Sequence, residues 1–133
     1  MKNSARFSIT AHGDREIVVV RVFAAPRRLV FDAYTQPELV RKWLLGPNGW
    51  SMPVCEIDLR VGGRYRIANL LPSGATVWIH GEFEVVDPPR LVVYTWGLGL
   101  DAVASERVTV SFTAASGGTE LQIHHQNIPL RRL

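Results

Sequence analysis

The pattern of hydrophobic and polar positions changes period once along this chain, close to residue 50. Ahead of that point, the β-branched run Ile17, Val18, Val19 and Val20 predicts a strand over residues 16–24. Pro26 closes it, and its fixed φ suits the first position of a helix. Residues 26–35 read as that helix, because Val30, Phe31 and Tyr34 recur at offsets that line one side of it. A second helix is predicted over residues 37–44, with Leu39, Val40, Trp43 and Leu44 at helical spacing and Gly46-Pro47 as the stop.

From residue 50 onward the period is two. Cys55, Ile57 and Leu59 alternate with Glu56, Asp58 and Arg60, as in a sheet with one buried face. Gly62-Gly63 makes a turn, residues 64–71 form the next strand, Pro72-Ser73-Gly74 a hairpin, and residues 76–86 its partner, with a bulge expected at Gly81. Asp87-Pro88-Pro89 ends that strand, and residues 90–96, 106–113 and 119–125 complete an antiparallel meander. The order is one strand, two short helices and six consecutive strands, an α+β plan. Two helices this short do not cover a sheet of seven strands, so apolar side chains are left facing a concavity that a ligand could fill.

Composition narrows the setting. With 133 residues, 47% of them apolar and 20% charged, the chain suits one folded domain over residues 1–133, with 1–14 as an N-terminal extension. No apolar run reaches the roughly 20 residues of a membrane helix, and the first 14 residues lack the apolar stretch of a secretory signal. A cytoplasmic location is expected, and the lone Cys55 agrees with a reducing compartment. The net charge is +3, and every cation except Lys2 and Lys42 is an arginine. They are scattered, with short pairs only at Arg27-Arg28, Arg41-Lys42 and Arg131-Arg132, so no stripe tracks a nucleic-acid backbone.

Chemistry has few signposts here. Trp43, Trp50, Met52, Tyr65, Trp78, Phe83, Tyr94 and Trp96 fall in or beside elements that border the expected concavity, and such rings serve either a core or a pocket for a flat, greasy ligand. His124 and His125 are adjacent on a strand and point to opposite faces. His125 shares the face of Leu121 and Ile123 and is the pocket candidate, whereas His124 is expected in solvent. His80 shares a face with Trp78 unless Gly81 bulges. Arg21 sits among Val and Phe, and if it faces inward it needs a carboxylate or an anionic ligand. Among the possible acids or bases on these segments, Glu56, Asp58 and Glu84 fall on the outward side and are expected in solvent, which leaves Glu82 and Glu106. No metal-ligand motif, no Gly-x-Ser-x-Gly elbow and no phosphate loop is present, so neither a metal nor another cofactor is expected.

One set of segments resembles a known family. Arg21-Val22-Phe23-Ala24-Ala25-Pro26, then Val30-Phe31-Asp32-Ala33-Tyr34-Thr35-Gln36-Pro37-Glu38-Leu39-Val40-Arg41-Lys42-Trp43, is similar to the opening of the START-like (SRPBCC) superfamily, in its Activator of Hsp90 ATPase homologue-like branch. Gly46-Pro47, Cys55-Glu56-Ile57-Asp58-Leu59-Arg60-Val61-Gly62-Gly63-Arg64-Tyr65, His80-Gly81-Glu82-Phe83, Pro88-Pro89-Arg90-Leu91 and Thr119-Glu120-Leu121 continue the resemblance in order, over roughly residues 15–127. It implies a helix-grip fold, a curved antiparallel sheet wrapped around a long C-terminal helix with an apolar cavity between them. Residues 128–133 are too few for such a helix, so a short tail is expected in its place, with a second copy of the chain shielding the uncovered face.

Three functions follow from the resemblance. The first is a non-catalytic binder of a small hydrophobic molecule, carried by Trp43, Trp50, Met52, Tyr65, Trp78, Phe83, Tyr94, Trp96, His125 and Arg21. The second is a cyclase or hydratase acting on a polyketide-like or aromatic substrate, with His125, Arg21 or Glu82 as acid or base. The third is a co-chaperone-like domain that acts on a heat-shock ATPase through its outer surface.

Overall fold

The computed structural model describes residues 7–129. Eight strands and two helices follow in the order β1 (Phe7–His12), β2 (Glu16–Phe23), α1 (Arg27–Thr35), α2 (Pro37–Trp43), β3 (Ser51–Ile57), β4 (Arg64–Leu70), β5 (Thr76–Asp87), β6 (Leu91–Leu98), β7 (Glu106–Ala115) and β8 (Gly118–Gln126). All strands lie in one antiparallel sheet ordered β1-β2-β8-β7-β6-β5-β4-β3. This is the helix-grip plan without a third helix among the described residues. Residues 130–133, the end of the expected tail, lie outside the described residues.

The helix pair carries the chain from β2, near one edge of the sheet, to β3, the opposite edge. Pro26 stands just ahead of α1 as its N-cap rather than inside it, and its carbonyl accepts the Leu29 and Val30 amides. Pro37 does occupy the start of α2, where no intrahelical donor is lost. Helix α1 packs on β7 and β8 while α2 packs on β3, so each helix covers a different part of the same sheet face.

Two separate cores result. Val30 and Phe31 of α1 join Val92, Val108, Val110, Phe112 and Leu121, with the Phe31 and Phe112 rings edge to face at 5.1 Å. Val40 of α2 joins Met52, Cys55 and Ile67. Fully burying a side chain of this size is worth about 1.5–3 kcal/mol. The ion pairs Glu56–Arg66 and Glu84–Arg107 lie on the outer face in solvent, and such exposed pairs add little. The two cores, not the charges, hold the helices down.

Three features differ from the pattern reading. The segment read as an N-terminal extension contains β1, which pairs along its whole length with β2. The register shift in β5 falls between Phe83 and Val85 rather than at Gly81. Gly81 has another role: a Cβ there would lie 1.9 Å from the Thr95 carbonyl oxygen and 2.9 Å from the Tyr65 ring, so only glycine lets β6 and that ring close over it. Beyond β8, Ile128 is buried and exchanges hydrogen bonds with Arg15, its amide to the Arg15 carbonyl and Arg15 Nε to its own carbonyl. The chain therefore folds back toward the β1–β2 turn.

Candidate functional site

The gap between the two cores is a cavity of about 200 Å³. Val92 and Val108 from the first core and Val40 and Ile67 from the second both reach its wall. Ile57, Ile79 and Ile123 add branched carbons, and Tyr34, Tyr65, Phe83, Tyr94 and Trp96 add rings. Trp43 lines the cavity from α2 and remains 45% exposed, its ring 5.0 Å from Tyr34 and its Nε1 donating to the Ala33 carbonyl at 2.6 Å.

The polar atoms on this wall are tied to the protein. Tyr65 donates its hydroxyl to the Thr95 carbonyl at 2.7 Å, and Thr35 donates to Phe31 at 2.8 Å. Tyr34 and Tyr94 are hydrogen-bonded to each other through their phenols. Burial pushes all three tyrosines above the ordinary phenol range: Tyr34 is raised by loss of solvent, Tyr65 far up by the same cause, and Tyr94 well up by burial and the neighbouring Tyr34 and Tyr65. No Lys or Arg is among the residues that line the cavity, so its wall is short of positive charge.

One ionisable pair stands at the wall. His125 of β8 lines the cavity, and its Nε2 lies 2.9 Å from Oε1 of Glu106 on β7. Register explains the meeting: Glu106 is directly opposite Trp96 and Val108 is opposite His125, so the acid and the imidazole are diagonal neighbours on one face. Glu106 is only 4% exposed, and the Trp96 ring meets the imidazole edge to face at 5.1 Å. The alternation of the sequence leaves the face of Glu106 open. The structure buries Glu106 against His125, because its strand parity is that of Val108 and Val110. His124, expected in solvent, is half-buried and pairs with Glu16 at 2.7 Å on the other face.

Of the ten residues read as a ligand site, Trp43, Tyr65, Phe83, Tyr94, Trp96 and His125 line the cavity. Trp78 does not. It is opposite Ala68 in the β4–β5 ladder and lies on the outer face, where the Arg66 guanidinium stacks 5.6 Å from its ring centre. His80 is on that same outer face, bonded through Nε2 to the Gly99 carbonyl at 3.0 Å. Trp50 folds over Gly46, where a Cβ would come within 2.3 Å of its ring, and Met52 is buried in the α2 core. Arg21 shares the inner face through its partner Leu121 but lies outside the cavity, exposed, with its guanidinium over Phe23 at 5.0 Å and Phe7 at 6.0 Å. Glu82 is exposed and is not on the cavity wall. Among the described residues, no three His, Cys, Asp or Glu side chains are grouped to hold a metal.

The profile of the Activator of Hsp90 ATPase homolog 1-like protein family matches residues 24–133. The chain belongs to this family. No curated protein matches it. Among solved structures, a Chromobacterium violaceum protein is 31% identical, with 86% of this chain and 81% of that one covered and a TM-score of 0.77. A Rhodobacter sphaeroides protein shares the fold at 24% identity and a TM-score of 0.83, covering 96% of this chain and 81% of its own. An HSP90 activator from Plasmodium falciparum is 25% identical, with 86% and 74% covered and a TM-score of 0.67. In this chain β3 to β8 all contribute to the cavity wall.

Proposed function

We propose that this protein binds a small, largely apolar molecule in the cavity between its two cores. The observation that carries the reading is the wall itself: rings and branched side chains surround a space that neither core fills, while the wall's own phenols are bonded to one another or to the backbone. A volume of about 200 Å³ is below the roughly 300–1,000 Å³ of drug-sized pockets, which suits a body of one or two rings. Binding to the folded state alone raises stability by about 2.7 kcal/mol at one hundred times Kd. Thermal unfolding in the presence of one- and two-ring aromatics is therefore expected to shift upward with dose, and Ile79→Trp, which fills the space, to cancel the shift. An unchanged Tm at saturating aqueous concentrations rejects the reading.

A second reading has its own support in the HSP90 activator among the similar structures and in the family description. In it the protein acts through its outer surface on a heat-shock ATPase, and adding it to an Hsp90-type chaperone raises the ATPase rate whether or not the cavity is filled. No change in that rate dismisses it. We assign the exposed strip on the inner face of β1, Phe7 and Ile9, to contact with a second copy of the chain, since both side chains are more than half exposed. The lone thiol, Cys55, is buried and fits a cytoplasmic setting.

A further inference from the structure

We propose that the outer face of the sheet carries a second site, separate from the cavity, that binds a small amphipathic acid, a carboxylate on an apolar body. A groove of about 420 Å³ lies on β4 and β5 under the β6–β7 loop, and its wall includes Glu56, Arg64, Arg66, His80 and Leu100. Small-molecule sites commonly enclose roughly 300–1,000 Å³, so the space suffices for such a ligand. Register builds the floor. Glu56, Arg66 and His80 stand in one row across β3, β4 and β5, and Arg64, two residues from Arg66 on β4, shares their face.

One side of the groove is apolar and held in place. His80 bonds through Nε2 to the Gly99 carbonyl at 3.0 Å, and the Gly99 amide donates to the Trp78 carbonyl at 2.8 Å, so the loop is tied to β5 at two points. The next residue, Leu100, is 47% exposed and lines the groove. The other side is cationic. Arg66 donates to Glu56 at 2.7 Å and stacks on Trp78, and Arg107 on the same face donates to Glu84. Arg64 is exposed, and among the described residues its guanidinium has no acid, carbonyl or ring as partner, although Glu82 stands directly opposite it on β5. Glu56 offsets Arg66, so the charge of Arg64 is left over in the groove. A planar guanidinium takes a carboxylate through two parallel hydrogen bonds. One exposed ion pair alone is worth no more than about fivefold in affinity, so the apolar body against Leu100 is what separates this ligand from a bare anion. The inner cavity is the opposite case, with no Lys or Arg on its wall, so acids and neutral rings are sorted to different faces.

Nitrogen-15 NMR titration of the full chain with 2-naphthoate, acetate and naphthalene tests this, read at the Arg64 Nε–H and at the Trp78 indole beneath Arg66. Saturable shifts of both signals are expected with 2-naphthoate, and none with naphthalene. Acetate is expected to bind at the same place about tenfold more weakly, as losing roughly 55 Å² of apolar contact implies. Arg64→Gln is expected to weaken 2-naphthoate binding about fivefold, and Glu82→Gln, which removes the acid opposite Arg64, to tighten it. Both residues are exposed, so neither change opens a core. Unmoved Arg64 and Trp78 signals at millimolar 2-naphthoate, or equal binding to the Arg64→Gln variant, overturns the site. Acetate binding as tightly as 2-naphthoate overturns the ligand class. Shifts of Trp43 and Trp96 alone with 2-naphthoate put the acid in the cavity and overturn the site, while the cavity reading stands.

Discussion

At the scale of single residues, the chain's three tyrosines, Tyr34, Tyr65 and Tyr94, all line one cavity, and all are raised above the ordinary phenol value of 10.0. The unfolded chain releases these protons near pH 10 and the folded one holds them, so the unfolded state binds fewer protons above that pH. Stability is therefore fully present below pH 10 and is lost as pH rises beyond it. Absorbance at 295 nm is expected to stay flat through the normal phenol range and then to rise together with loss of the near-ultraviolet circular dichroism. A smooth three-proton titration near pH 10 in the folded protein would contradict the burial of the three phenols. Tyr65 and Tyr94 were legible in the sequence as pocket rings because each sits at an alternating strand position. The place of Glu106 was not: the alternation left its face open, and the register of β7 and β8 sets it on the inner face, diagonal to His125.

Elements were easier to see than the faces they present. The change of period near residue 50 placed both helices and the strands from β3 to β8 within a few residues of their observed ends, apart from an early start of β3 at Ser51. Strand β1 escaped because Phe7–His12 is exposed along its length and becomes a strand only by pairing with β2. Trp78 was read on the wrong side because β5 carries apolar residues on both faces and alternation alone does not say which is inner. The same element scale bears on association. Strand β1 is an edge, and Phe7 and Ile9 on it are 53% and 61% exposed with no proline or lysine to guard them. Sedimentation velocity at micromolar concentration is expected to show a dimer, and Ile9→Lys to shift it to monomer. A monomer for the unsubstituted chain would remove the second copy from the account.

For the whole molecule, the central feature is that two helices anchor two cores on one sheet and leave a space between them. Helix α1 seals β7 and β8 through Phe31, α2 seals β3 through Val40, and the wall between them is completed by β4, β5 and β6. Family membership fixes the fold, and the cavity is where this chain's own side chains indicate a use for it. The four tryptophans divide the surface cleanly: Trp43 and Trp96 line the cavity, whereas Trp50 packs on Gly46 and Trp78 stacks with Arg66 on the outer face. Their indole N–H signals in a nitrogen-15 correlation spectrum, followed as 2-naphthol is added, therefore report directly on where a ligand goes. The account predicts saturable shifts of the Trp43 and Trp96 signals with those of Trp50 and Trp78 unmoved. Shifts led by Trp78 or Trp50, or no shift at any of the four, would contradict it.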